Sequence, residues 1–229
     1  MAVYAAMIDR IDQNIGRLIA VLKANKQFDN TLIVFMSDNG GCAENMDSRK
    51  LNDNSKQIGE KGSYVNYDYP WANVSNTPFK KYKKILHEGG MISPCIIQWP
   101  TKIKPQAGYN EGIGHIMDLL PTSLDLAGVP AKSLPGESLS YLWTGKKPSP
   151  KTYYWEHEGN KAMRKGNWKL VKDFEGSAWE LYDLSTDICE TKNLASKHMQ
   201  VLQEMVLDYA VWSKKVGVKE YTKSQNKSE

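Results

Sequence analysis

The sequence predicts an α/β layered domain followed by a small antiparallel sheet packed with a terminal helix. Three observations predict it. An amphipathic helical pattern near the N-terminus leads through a short loop into an apolar strand, Leu32-Ile33-Val34-Phe35-Met36, an order that suits a layered α/β arrangement. Beyond residue 150 the chain breaks into short aromatic runs separated by Gly159-Asn160, Gly166-Asn167 and Gly176-Ser177, the pattern of antiparallel hairpins. Leu202, Met205, Val206, Tyr209 and Trp212 then share one face of a helix suited to cover such a sheet.

Each element has its own signal. Ala5, Ile8, Ile11, Ile15, Leu18, Ile19 and Leu22 recur at spacings of three and four, with polar residues between, which gives the first helix a wide apolar stripe. Leu32 to Met36 are apolar throughout and read as a strand buried on both faces, as in a parallel sheet. From Cys42 to about Lys80 periodicity is lost among Asn, Asp, Ser, Gly, Lys and Tyr; loops this long inside a domain are usually functional or mobile. Ile96-Ile97-Gln98-Trp99 reads as a second short strand stopped by Pro100. His115 to Ala127 reads as a helix interrupted by Pro121 and ended by Gly128-Val129-Pro130. The composition changes around Lys146 to Pro150. The expected division is therefore 1–148, 149–222, and a frayed polar tail from 223 to 229.

Composition excludes several functions. The chain has 229 residues and a net charge of +4, too mild for a nucleic-acid binder, and its lysine cluster lacks interleaved stacking aromatics. No apolar run approaches the length of a membrane span, and no signal peptide is visible. Cys42, Cys95 and Cys189 are odd in number and far apart, and they offer neither a disulfide framework nor zinc spacing.

Chemistry concentrates in two places. The apolar strand ends in Ser37-Asp38-Asn39-Gly40-Gly41, so Asp38 and Asn39 bring two hard oxygen donors to the carboxyl end of a strand, where α/β folds collect ligands. Asn-Gly is also a strong turn signal, and the segment alone reads first as a strand-ending turn. The second place is Phe79-Lys80-Lys81-Tyr82-Lys83-Lys84-Ile85-Leu86-His87-Glu88-Gly89-Gly90. A lysine ahead of a glycine pair would serve as a fixed cation for an oxyanion, whereas four lysines within five positions read by themselves as a solvated basic face. His87 beside an acid reads as a general base or, more commonly, an isolated surface histidine.

The order of these motifs resembles the type I sulfatases of the alkaline-phosphatase-like superfamily. The resemblance runs through Tyr4 to Leu18, Ser37 to Gly40, Lys83 with Glu88-Gly89-Gly90, Trp99-Pro100, Asp118 to Gly128, Arg164 to Leu170 and Glu180 to Leu184. It implies that Asp38 and Asn39 are the two later ligands of a divalent cation, Ca2+ or alternatively Mg2+, and hard oxygen ligands agree with either. It implies that Lys83 contacts the sulfate group. Glu88-Gly89-Gly90 is expected to shape the backbone beside the site. Ile92 stands where many relatives carry an arginine.

The resemblance also implies parts that this sequence lacks. Type I sulfatases use a formylglycine made from cysteine in a Cys-x-Pro-Ser-Arg or similar motif, and none of the three cysteines has that context. The family's early Asp-Asp pair and its lysine-histidine pair are missing too. The chain is thus expected to be the C-terminal half of a sulfatase, inactive and weak in metal binding alone, with formylglycine in the missing half. The implied substrate is an aryl or carbohydrate sulfate, and the implied location is periplasmic or otherwise extracytoplasmic. Two alternatives stay open: a phosphate or phosphonate ester hydrolase of the same superfamily, and a non-catalytic module binding sulfated glycan through Trp71, Trp155 and His157. Half of a layered domain would also expose apolar faces and invite self-association.

Overall fold

The computed structural model describes residues 1–44, 52–105, 108–110, 112–130, 132–146, 150–176 and 178–222. The expected frayed tail, 223–229, and most of the expected boundary near 148 lie outside the described residues. The fold is α/β, and the chain divides into two compact units. One gathers Met1–Val3, Asn39–Ser93 and Pro150–Glu229; the other gathers Tyr4–Asp38 and Pro94–Ser149.

The second unit contains most of helix α1 (Ala2–Ala24), strands β1 (Ile33–Met36) and β2 (Cys95–Gln98), helix α4 (Leu119–Leu126) and the single turn α5 (Tyr141–Thr144). β1 pairs with β2 antiparallel, Ile33 opposite Gln98 and Met36 opposite Cys95. This corrects the expectation of a parallel-type strand buried on both faces. Val34 and Phe35 point to opposite faces and both are exposed, because the described sheet has two strands and no cover over these positions. α1 likewise keeps its apolar stripe, but none of its residues is buried.

The helix expected from His115 is a 3-10 turn, Ile116–Asp118, followed by α4. His115 and Asp118 cap that turn reciprocally, with Met117 N–H donating to His115 Nδ1 and His115 N–H donating to Asp118. Pro121 does not interrupt α4, because it sits in the first turn, where its missing N–H has no partner to lose.

The first unit is built on a four-stranded antiparallel meander of β3 (Thr152–His157), β4 (Asn160–Lys165), β5 (Trp168–Lys172) and β6 (Glu180–Asp183). Gly159 and Gly166 adopt positive φ at the two tight connections, a conformation that glycine reaches without a Cβ clash. Both faces of this sheet are covered. Met163, Leu170 and Leu181 pack on Met205 and Tyr209 of α6 (Met199–Val216), as the sequence expects. Tyr154 stacks on Trp212 at 5.0 Å between ring centroids, and Tyr209 Oη donates to Trp155 O at 3.1 Å.

The opposite face presents Ala162, Val171 and Tyr182, with Leu184 beside them, to Leu86. Leu86 precedes the short helix α3 (Glu88–Met91). One helix inside the long aperiodic segment, α2 (Asp68–Asn76), escapes sequence reading because its hydrophobic periodicity is weak. Among the described residues no helix is long and apolar enough to cross a membrane.

Candidate active site

Two backbone segments meet in the first unit. The Asn39-Gly40-Gly41 loop lies against the Glu88-Gly89-Gly90 turn, and Gly40 N–H donates to Gly90 O at 3.1 Å. The contact admits no side chain. A Cβ on Gly40 would stand 1.9 Å from Gly89 O, and a Cβ on Gly90 would stand 1.9 Å from Ile85 O. Glycine is therefore required here by close approach, and the two motifs act as one piece of backbone.

That piece also fixes the lysine segment. Gly89 N–H donates to Lys80 O at 2.8 Å, and Lys83 N–H donates to Gly41 O at 3.0 Å. Asn76, at the end of α2, bridges the same loops: its Oδ1 accepts from Gly41 N–H at 2.8 Å and its Nδ2 donates to Lys81 O at 3.0 Å. Tyr67 Oη accepts from Cys42 N–H at 3.1 Å.

The lysines are not the solvated face that their clustering suggests. Lys83 Nζ lies 3.2 Å from Glu44 Oε2, while Lys84 Nζ lies 2.8 Å from Glu44 Oε1 and 3.3 Å from Glu158. The Lys84 ammonium, with a smaller effect from Lys83, outweighs burial and holds the Glu44 carboxyl at about 2. Lys80 turns the other way, 3.0 Å from Tyr182 Oη and 3.4 Å from Glu180.

His87 is fully buried, not the surface histidine the sequence suggests. Its Nε2 meets Glu180 at 2.9 Å, and its Nδ1 lies 3.3 Å from Asp173 Oδ1 without hydrogen-bond alignment. Burial opposes ionisation of Glu180, but hydrogen bonds from Tyr182 and His87, together with the Lys80 ammonium, leave its carboxyl below the ordinary range.

Glu88 and Glu190 flank Lys169, and none of the three side chains is exposed to a meaningful degree. Lys169 Nζ donates to Glu88 Oε1 and lies 2.9 Å from Glu190 Oε1, while Glu190 also accepts from Glu88 N–H at 2.7 Å. Burial pushes the Glu190 carboxyl up against the opposing pull of Lys169. Neither Lys169 nor Glu190 belongs to a motif that the sequence reading assigns to the site. The available signal was a lysine inside the apolar run Trp168-Lys169-Leu170-Val171, where burial demands an acid partner.

Asp38 is exposed and Asn39 half-buried at the end of β1. Asn39 Nδ2 donates to Gly40 O at 2.8 Å. The pair fits a hard cation in donor type, yet it supplies two ligands where calcium takes about six to eight oxygens. Among the described residues no three His, Cys, Asp or Glu side chains are gathered to hold a metal. Cys42, Cys95 and Cys189 are all free thiols. Trp71 is exposed on α2, while Trp155 is half-buried and stacks on Tyr153 at 5.9 Å. His157 is exposed at the end of β3.

Likeness to solved sulfatase structures places this α/β chain in the class of alkaline-phosphatase-like folds. A family model described as "Sulfatase" matches residues 1–129, and one described as "N-sulphoglucosamine sulphohydrolase, C-terminal" matches residues 79–212. The chain belongs to the sulfatase family. It is 36% identical over 247 residues to an uncharacterised sulfatase of Schizosaccharomyces pombe, covering 95% of this chain and 44% of that protein. An arylsulfatase of Klebsiella aerogenes is 38% identical over 144 residues, which cover 58% of this chain and 31% of the relative.

Among solved structures, the crystal structure of Ps i-CgsB superposes with a TM-score of 0.68 at 29% identity, covering 92% of this chain and 42% of that one. A structure bound to its substrate D-glucosamine-2-N,6-O-disulfate superposes at 0.60 with 26% identity, covering 91% and 40%. The chain spans less than half the length of the curated relatives it matches.

Proposed function

We propose that this chain forms part of an enzyme that hydrolyses sulfate esters of carbohydrates or aryl alcohols. The observation that carries the reading is the joint between Gly40 and Gly90, which sets the Asn39 loop and the Lys83 segment in one rigid arrangement within a sulfatase-family chain. In this reading Lys83 is the cation that offsets charge developing on the sulfate and its leaving oxygen. Asp38 and Asn39 contribute two of the oxygen ligands for a divalent cation, which when bound would polarise the sulfate. The nucleophile is a formylglycine from outside this sequence, since no cysteine here has the required context. Residues 1–148 belong to the catalytic portion and 149–222 to the C-terminal subdomain. A sulfated sugar is the favoured substrate class, because relatives named for N-acetylgalactosamine-6-sulfatase activity and substrate-bound sugar-sulfate complexes stand among the similar proteins.

The test is hydrolysis of a model aryl sulfate and of sulfated oligosaccharides by the complete enzyme and its Lys83→Ala variant. Loss of one charge-stabilising donor at the reacting group is expected to lower kcat about 100- to 1,000-fold. Near-wild-type turnover in the variant would remove Lys83 from the site. Phosphonate esters cleaved in preference to sulfates would replace the reaction while keeping the fold.

A further inference from the structure

We infer that Lys169, in the C-terminal sheet, is a positioning residue for the candidate active site, acting through Glu88 on the two glycine motifs. The inference rests on the sulfatase reading for its catalytic consequence, although its structural content stands apart from that reading.

The chain of contacts is continuous within the first unit. Lys169 is the second residue of β5, opposite Tyr182 of β6, with no exposed surface. Its ammonium donates to Glu88 and ion-pairs with Glu190 at 2.9 Å. Glu190 in turn takes the Glu88 backbone N–H at 2.7 Å, so Glu88 is held by both main chain and side chain. Glu88 opens the turn whose next two residues fix everything else: Gly89 N–H on Lys80 O, and Gly90 O on Gly40 N–H. The Asn39 loop and Lys83 are therefore anchored to a buried charge cluster on the far sheet.

The chemistry explains why a charged anchor would be used in place of an apolar one. An apolar core residue at Lys169 would fill space but would not choose a direction. A buried ammonium between two carboxylates is costly to move, because displacement by even a small distance leaves a charge unpaired in a dry interior. Such a triad fixes the orientation of the Glu88 turn better than dispersion contacts can. The neighbouring His87 and Glu180 pair reinforces it from the adjacent position along the same segment. Geometric error near reacting groups is expensive: a misplacement of about 1 Å costs on the order of 100-fold in rate.

The experiment compares the complete enzyme with its Lys169→Met, Glu88→Gln and Lys165→Met variants, assayed well below their melting midpoints. Lys165, the last residue of β4, pairs through an exposed side chain with Asp208 of α6 at 2.7 Å and serves as the control. Lys169→Met is expected to lower kcat on a model aryl sulfate by about 10- to 100-fold, with KM within about threefold of wild type. Backbone hydrogen exchange at Gly40, Lys83 and Gly89 is expected to accelerate selectively, with α6 amides unchanged. Lys165→Met leaves both readouts at wild-type values.

Glu88→Gln retains shape and an acceptor but removes the charge. It moves both quantities in the same direction and decides the matter if Lys169→Met does not fold. Wild-type kcat and exchange in a folded Lys169→Met protein overturn the inference. So does acceleration spread equally over α6, which would make Lys169 a general stabiliser. If the complete enzyme hydrolyses no sulfate ester, the functional reading fails, and the exchange rates alone decide whether Lys169 positions the loops.

Discussion

The amide of Gly40 donates to the carbonyl of Gly90 at 3.1 Å, joining the strand-end motif to the glycine-pair turn through main chain alone. The joint tolerates no side chain on Gly40, whose Cβ would fall on Gly89 O, while a Cβ on Gly90 would fall on Ile85 O within its own segment. The joint also explains how a chain with ordinary surface lysines can hold one of them in a defined place. Lys83 is tied by its own N–H to Gly41 O, so its starting point is fixed even though its side chain is long.

Gly40→Ala should therefore be among the most damaging single-methyl additions in the chain. The new Cβ would fall 1.9 Å from Gly89 O and 3.1 Å from Gly90 Cα, both parts of the backbone, so no rotamer change relieves the clash. Overpacking of this kind costs about 1–3 kcal/mol or more. A fall in denaturation midpoint together with lost turnover is expected, whereas Gly128→Ala, which meets nothing within 4 Å, should report only its positive φ.

Glu44 makes the lysine segment acid-sensitive. Its folded carboxyl is held at about 2 by Lys84 first and by Lys83, below its ordinary value of 4.5. A depressed acid contributes stability that is fully present above about 4.5 and is lost as pH falls toward 2. Denaturation midpoints measured from pH 6 to pH 2 should thus fall more steeply for wild type than for Glu44→Gln. Parallel curves would show that the two ion pairs contribute nothing measurable.

Much of the fold was legible because periodicity and turn chemistry are local. The hairpin strands beyond residue 150 were bounded by Gly-Asn turns, and the apolar face of α6 was written at helical spacing. What the sequence misjudged depended on distant partners. His87 looked exposed because Asp173 and Glu180, which surround it, lie far along the chain. The cluster Lys80 to Lys84 looked solvated because Glu44, Glu158 and Glu180 are likewise remote. The sequence of β1 reads as buried because its residues are apolar on both faces, a pattern that states what the strand needs and not what covers it.

Asp38→Ala should separate the metal reading from the fold. Asp38 is exposed, so its loss should leave the unfolding free energy without calcium within about 0.5 kcal/mol of wild type. In the complete enzyme, added calcium is expected to raise the melting temperature by binding the folded state alone. That rise should shrink or vanish in Asp38→Ala and weaken in Asn39→Ala. An undiminished calcium shift in both variants would place the cation elsewhere.

The exposed apolar faces of the second unit carry the last expectation. Phe35 is 47% exposed and Ile96, opposite it in register, is 63% exposed, while Val34 leaves the other face of β1 open as well. Ile8 and Leu18 of α1 are at least half exposed on a stripe that has no buried residue. Apolar area of this extent favours removal from water at roughly 25 cal/mol per Å². A second copy of the same chain is the one partner always present at high concentration. The 229-residue chain expressed by itself should therefore sediment as a dimer or larger species, bind a hydrophobic dye, and lose both properties on substitution of Phe35→Lys with Ile96→Lys. A monomer at 100 µM that binds no dye would mean that these faces are covered from within the chain.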